Sequence, residues 1–226
     1  MSESVLTELD DGVLTVTLNE PDSMNALSVG VSNGLSAALE RASDDDDVRV
    51  LLLTGAGRGF CAGAAVGSGG RGSGAPSRKS RIDQKGPSAR SVEAFSNCEV
   101  PIIAAVNGAA VGAGFGIATC CDVRILGESA RMGSIFIRRG LASDYGAAYW
   151  LPKLVGMGKA YALMYSGELL DAQTCLEWGL ATRVAPDDQL MTEATAYARM
   201  IADGPPLAYT LLRRMLQRSA DMDQAT

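Results

Sequence analysis

The chain has 226 residues, with 26 acidic against 20 basic side chains, a net charge of −6 and no histidine. Nucleic-acid surfaces lean on clustered Lys and Arg, so an acidic chain argues against one, while 47% hydrophobic residues suffice for one sizeable core. Without histidine, Ser-His and Cys-His nucleophile pairs and any imidazole base are gone, and proton chemistry falls first to carboxylates and then to Tyr, Cys or Lys.

Along the chain, VLTVTL at Val13–Leu18 alternates in the two-residue period of a strand, bounded by Asp-Asp-Gly and Asn-Glu-Pro. Ser28 then fits an N-cap for a helix carrying Val31, Leu35, Ala38, Leu39 and Ala42, which ends in the acidic run 44–47. The apolar run 48–54 reads as a strand buried on both faces, and strand, helix, strand implies a right-handed crossover and α/β architecture. A second apolar strand is expected over 100–106, followed by a tight turn over 107–114 and a short helix opening at Phe115. A short strand over 123–126 precedes a mainly helical remainder, with helices expected over 151–165, 172–178, 189–202 and 207–219. The basic stretch 71–90 is interleaved with Gly, Ser and Pro and reads as a flexible, solvated loop.

No stretch reaches the roughly 20 apolar residues of a membrane span. The N-terminus lacks a signal peptide's basic start and apolar run, so a cytoplasmic location and no membrane partner are expected. The five cysteines, Cys61, Cys98, Cys120, Cys121 and Cys175, contain no CxxC pair, so neither a disulfide framework nor a metal site is expected.

Two glycine-rich turns carry the chemistry. In NGAAVGAGFG (107–116) small residues between a buried strand and a helix let the backbone approach a ligand, and the helix N-terminus adds partial positive charge; the Ala113 amide would aim at a developing oxyanion. GAGRGFCAG (55–63), followed by Ala64, would supply a second amide. Each such donor is worth about 3 kcal/mol to an enolate or tetrahedral oxyanion. The same glycines would equally permit close helix-to-sheet packing or a phosphate nest, although neither turn fits GxGxxG or GxxxxGK[ST].

Taken together, FCAG (60–63), IIAAVNGAAVGAG (102–114), CDVRI (121–125), ESARMG (128–133) and LPKLVG (151–156) resemble the enoyl-CoA hydratase/isomerase, or crotonase, superfamily. The likeness runs from NEPDSMNALS (19–28) to EWGLATRV (177–184). It implies an α/β fold with a core of repeated ββα units over 1–185, then a helical C-terminal trimerisation segment over 186–226 that is shorter than in relatives. It further implies an acyl-CoA thioester substrate, coenzyme A entering only as part of it, an oxyanion hole from the amides of Ala64 and Ala113, and a homotrimer or dimer of trimers. Ala62, Ala64, Ala65, Gly112, Phe136 and Tyr145 are the expected contacts to the acyl-CoA.

Hydratases of this superfamily use two glutamates, at positions matched here by Gly116 and Phe136. One carboxylate remains nearby, Asp144 in GLASDYGAAYWLP (140–152), with Tyr145, Tyr149 and Trp150 around it. A matching aspartate is the single acid/base of isomerases related to phenylacetate degradation and the nucleophile of 4-chlorobenzoyl-CoA dehalogenases, which need a histidine. The expected reaction is therefore migration of a double bond from 3-enoyl-CoA to 2-enoyl-CoA with Asp144 as acid/base. The alternatives are an atypical hydratase, a non-catalytic acyl-CoA binder, and a dehalogenase or hydrolase with Asp144 as nucleophile; a structural reading makes Asp144 only the N-cap of the next helix. Arg58, Arg71, Arg78, Lys79 and Arg81 are candidates for the coenzyme A phosphates.

Overall fold

A computed structural model describes residues 3–64 and 86–219. Among the described residues ten strands form two sheets. The larger takes β1 (Val5–Asp10), β2 (Val13–Leu18), β3 (Val50–Gly55), β5 (Ile102–Val106), β7 (Val123–Gly127) and β10 (Arg183–Ala185) in that spatial order. Only β1 and β2 pair antiparallel there; the remaining neighbours are parallel. The smaller sheet orders β4 (Gly59–Cys61), β6 (Ala109–Val111), β8 (Arg131–Gly133) and β9 (Leu170–Asp171).

The chain visits the two sheets alternately: β3 leads to β4, β5 to β6, and β7 to β8. Each pair of strands is separated from the next by chain that returns through a helix, α2 (Gly86–Asn97) before β5 and α3 (Ala113–Cys120) before β7. This is the expected repeat of ββα units.

Strand period decides which side chains meet which layer. Leu51 and Leu53 of β3, with Ile102, Ala104 and Val106 of β5, enter the larger core, against α1 (Val29–Asp44), α3 and the second sheet. The alternate residues Val50, Leu52, Ile103, Ala105 and Ile125 face the other way and are covered by α7 (Leu190–Ala202), whose Ala194, Ala198 and Ala202 allow close approach. Ser28 caps α1 as expected, its side chain accepting the Val31 N–H at 3.1 Å, and the buried residues of that helix are the five read from the sequence.

The structure corrects several expectations. Strand β1 was not foreseen: most of VLTELD is exposed at a sheet edge, so it carries no burial pattern. Residues 109–111, read as part of a turn, form β6. The single helix expected over 151–165 is two, α4 (Ala147–Val155) and α5 (Met157–Ser166), because Gly156 sits at φ +80° between them. The segment read as a loop over 71–90 holds the start of α2 from Gly86, and its remainder lies outside the described residues.

The C-terminal helix α8 (Pro206–Ser219), which follows α6 (Ala172–Trp178) and α7, is tied to the core through buried Arg213. Its Nε donates to Asp122 Oδ2 at 2.8 Å, and its other nitrogens donate to the carbonyls of Phe95 and Cys98 at the end of α2. Asp122 also accepts the Ile102 N–H at 2.8 Å, so this carboxylate is a structural anchor at the start of β5. A guanidinium suits the place because one planar group reaches a carboxylate and two carbonyls together. Among the described residues no helix is long and apolar enough to cross a membrane.

Candidate active site

The two glycine-rich turns lie against each other. Gly63 has φ +94°, and a Cβ on it would sit 2.8 Å from the Val111 carbonyl oxygen and 3.4 Å from the Ala113 nitrogen. Only glycine lets the turn after β4 come this near to the start of α3. One helical residue further, a Cβ on Gly114 would meet the Cys61 carbonyl oxygen at 2.0 Å, so α3 rests directly on the β4 backbone. These distances show the close packing that the sequence offered as one reading of the glycines.

Side-chain amides hold the first turn in place. Asn25, fully buried with φ +55°, donates through Nδ2 to the carbonyls of Ala56 (2.9 Å) and Gly59 (2.7 Å) and accepts the Glu20 N–H at 2.9 Å. Asn107 does the same from the other side: its Nδ2 donates to Gly55 O (2.8 Å) and Gly57 O (2.9 Å), and its Oδ1 accepts the Gly55 N–H at 3.2 Å. Sequence reasoning missed both roles, although each Asn stands inside a motif that carried the family resemblance.

Ala113 is the first residue of α3, behind Gly112, whose φ of +56° and ψ of −120° turn the chain into the helix. Gly112 donates its N–H to Gly133 O at 3.0 Å, which ties the turn to β8. As the opening residue of the helix, Ala113 has no intrahelical acceptor for its N–H. On the facing turn the Leu27 N–H takes Gly63 O at 2.8 Å and Ala64 pairs with Leu27 as a short parallel bridge. The Ala64 N–H meets no acceptor among the described residues, whereas the Ala62 N–H is already engaged by Met24 O at 2.9 Å. Ala65 lies outside the described residues, as do Arg71, Arg78, Lys79 and Arg81; Arg58 is exposed between β3 and β4.

Phe136 is half-buried in the 3-10 turn Ile135–Arg139. Its neighbour Ile135, not singled out from the sequence, approaches Gly112 most closely, with Cγ1 3.8 Å from where a Cβ would be.

Asp144 stands exposed on the loop between this turn and α4. It does not cap α4, whose N-cap is Gly146 in the left-handed conformation. Instead its Oδ1 accepts the Tyr145 N–H at 2.8 Å and its Oδ2 accepts the Ser88 hydroxyl of α2 at 2.9 Å. Tyr145 follows at φ +50°, a strained setting for a bulky side chain. That conformation lays its backbone on Gly116, where a Cβ would be 2.6 Å from both the Tyr145 Cβ and its carbonyl oxygen. Gly116 lies three residues beyond Ala113, about 4.5 Å along the helix axis, so the Asp144 loop packs about one turn along α3 from the Ala113 N–H.

The Tyr145 phenol is raised from its ordinary pKa, mainly by burial and then by the nearby Asp144 charge, with hydrogen bonds to Ser88 and Ser91 opposing. Tyr149 and Trp150 do not join it. They stack edge to face at 4.9 Å, Tyr149 exposed beneath the Lys153 ammonium, and Trp150 lining an apolar cavity of about 280 Å³ with Cys120, Leu154, Arg213 and Leu216. All five cysteines are buried free thiols. Burial pushes Cys61, under the first turn, up to about 11 and Cys120 up to about 12, so neither is a thiolate at neutral pH. Among the described residues no group of three metal-ligating side chains occurs.

The fold is an α/β two-sheet spiral of ββα units that brings two small-residue turns together at a helix N-terminus. The family model for enoyl-CoA hydratase/isomerase matches residues 8–226, and the chain belongs to that family of enzymes. It is 34% identical to a 1,2-epoxyphenylacetyl-CoA isomerase of Escherichia coli, over 96% of this chain and 82% of that protein. Among solved structures it is similar to an enoyl-CoA hydratase from Mycobacterium avium subsp. paratuberculosis (TM-score 0.84, 33% identity, covering 96% of this chain and 82% of that one). It is likewise similar to a monofunctional enoyl-CoA isomerase from M. smegmatis (TM-score 0.83, 31% identity, covering 99% and 96%).

Proposed function

We propose that this enzyme moves a double bond in an acyl-CoA thioester, converting a 3-enoyl-CoA to a 2-enoyl-CoA with Asp144 as the single acid/base. The observation that carries the reading is the packing of Tyr145 on Gly116, which leaves no room for a second carboxylate where a hydratase places its first glutamate. Addition of water asks for two groups, one to activate the water and one to protonate the adjacent carbon. A shift of a double bond asks for one.

In the proposed reaction the Asp144 carboxylate takes a proton from C2, and the electron pair of that C–H bond moves into the thioester to give a dienolate. The amides of Ala64 and Ala113 hold the oxygen on which the charge collects. The protonated Asp144 then gives the same proton to C4, the C3–C4 double bond having moved to C2–C3, and the carboxylate is restored. Asp144 suits this shuttling because its two oxygens are oriented from two sides while the group itself stays exposed to a ligand. The step draws on the chain's own groups and the thioester alone. Similarity to a 1,2-epoxyphenylacetyl-CoA isomerase and to a monofunctional enoyl-CoA isomerase supports it.

Incubating the enzyme separately with 3-enoyl-CoA and 2-enoyl-CoA tests the reading. Conjugated 2-enoyl-CoA is expected from the first and no 3-hydroxyacyl-CoA from the second; efficient hydration of the second would overturn it.

We further propose a homotrimer or dimer of trimers. Leu207, Leu211 and Met215 run along one stripe of α8 at 78%, 55% and 68% exposure, an apolar surface that a second subunit would cover. Sedimentation velocity is expected to give a trimer or hexamer mass, and a monomer at micromolar concentration would contradict it.

A further inference from the structure

Asp144 receives a hydrogen bond from a residue 56 positions away, the one of its two orienting contacts that comes from outside its own loop. A carboxylate on an exposed loop turns about its last torsion with little hindrance, because terminal sp³–sp² torsions are broad. For a base that must reach two carbons of one substrate, that freedom is costly in rate. Here one oxygen is fixed locally by the Tyr145 N–H, a contact that moves with the loop. The other is fixed by Ser88, on an element anchored elsewhere.

That element, α2, is held at its far end. Phe95 is buried in the core, and the Phe95 and Cys98 carbonyls accept hydrogen bonds from Arg213. Midway, Val92 packs against the loop itself, its Cγ1 lying 3.3 Å from where a Cβ on Gly146 would be. Ser88 and Ser91, three residues apart and so on one face of the helix, both lie beside the Tyr145 phenol and oppose the rise in its pKa. Ser88 is therefore the point at which a rigid helix touches Asp144 and the side chain next to it.

We propose that Ser88 is the positioning residue of Asp144, fixing the carboxylate's orientation from α2 so that it addresses C2 and C4 of the bound thioester in turn. This rests on the isomerase reading above. A displacement of the order of 1 Å at a reacting group costs up to about 100-fold in rate, so the effect belongs in turnover and not in substrate binding.

The test compares wild type, Ser88→Ala, Ser88→Thr, Asp144→Asn and the double variant Ser88→Ala/Asp144→Asn on 3-enoyl-CoA. Ser88→Ala is expected to lower kcat by about 10- to 50-fold with KM within about twofold, and Ser88→Thr, which keeps the hydroxyl, to recover to within about threefold of wild type. The double variant should be no slower than Asp144→Asn alone, since Ser88 acts only through Asp144. Wild-type kcat in Ser88→Ala beside an inactive Asp144→Asn overturns the positioning role and leaves the acid/base assignment standing. So does failure of Ser88→Thr to recover while its melting curve matches wild type. Activity retained by Asp144→Asn overturns the acid/base assignment itself, and the role of Ser88 with it.

Discussion

Replacing Asp144 with Asn is expected to lower kcat for isomerisation by about 10³-fold while KM stays within a few fold, because general acid–base groups contribute about 10² to 10⁴. The amide is nearly the same shape. Its oxygen can accept the Tyr145 N–H and its NH₂ can donate to Ser88 Oγ, so both contacts that set the loop survive in altered form. What is lost is the proton carrier. Steady-state assay with 3-enoyl-CoA, joined to calorimetric titration with a non-reacting acyl-CoA thioester, separates the two quantities. Unchanged turnover would remove Asp144 from the mechanism, and lost thioester binding would move its role from catalysis to substrate placement. A covalent acyl adduct on Asp144 in the wild type, seen by mass spectrometry, would instead favour nucleophilic chemistry.

Restoring the hydratase carboxylate by Gly116→Glu is expected to give no hydratase. The difficulty begins at the first atom of the side chain, which would lie 2.6 Å from the Tyr145 Cβ and carbonyl oxygen. Backbone cannot rotate aside as a flexible side chain does, so the Tyr145 loop must move or the helix must shift. Overpacking of this kind costs about 1–3 kcal/mol, and contact with backbone places it toward the upper end. Urea unfolding should show that loss, and Gly116→Ala should already show most of it. Isomerisation should fall as well, since Asp144 adjoins the displaced residue. A Gly116→Glu protein of wild-type stability that hydrates 2-enoyl-CoA would mean that the loop yields freely, and the structural basis for a single-carboxylate site would be gone.

The elements legible in the sequence were those whose burial writes a period. Val13–Leu18 alternates because one face is packed, and the helix after Ser28 repeats its apolar residues because one stripe meets the sheet. Strand β1 gives no such signal, being mostly exposed at the edge. Small residues misled at 109–111, where Ala-Ala-Val pairs as a strand inside what composition marks as a turn. In the site, the two glycine turns were readable because glycine has few uses besides turning tightly or letting atoms approach. The reason for Gly116 was not readable, since it lies in the backbone conformation of Tyr145, 29 residues later. Nor was Ser88, which stands at the edge of a segment whose composition suggested only a loop. The aromatic triplet 145, 149 and 150 looked like one pocket, but the first lies against Gly116 of α3 while Trp150 lines a separate cavity at the Cys120 end of that helix and Tyr149 is exposed on α4.

The paired asparagines at the first turn bear on how the substrate is met. Asn25 and Asn107 satisfy the carbonyls of Gly55, Ala56, Gly57 and Gly59 from within the chain, so the turn that leads to Gly63 and Ala64 needs neither water nor ligand to complete it. Donors fixed in advance spend none of the binding free energy on ordering the protein, and no reorganisation is required as charge develops. Under the proposed reaction the choice among acyl groups then falls to the 140–146 loop and the Ile135–Arg139 turn, whose side chains can change without disturbing the two glycine turns.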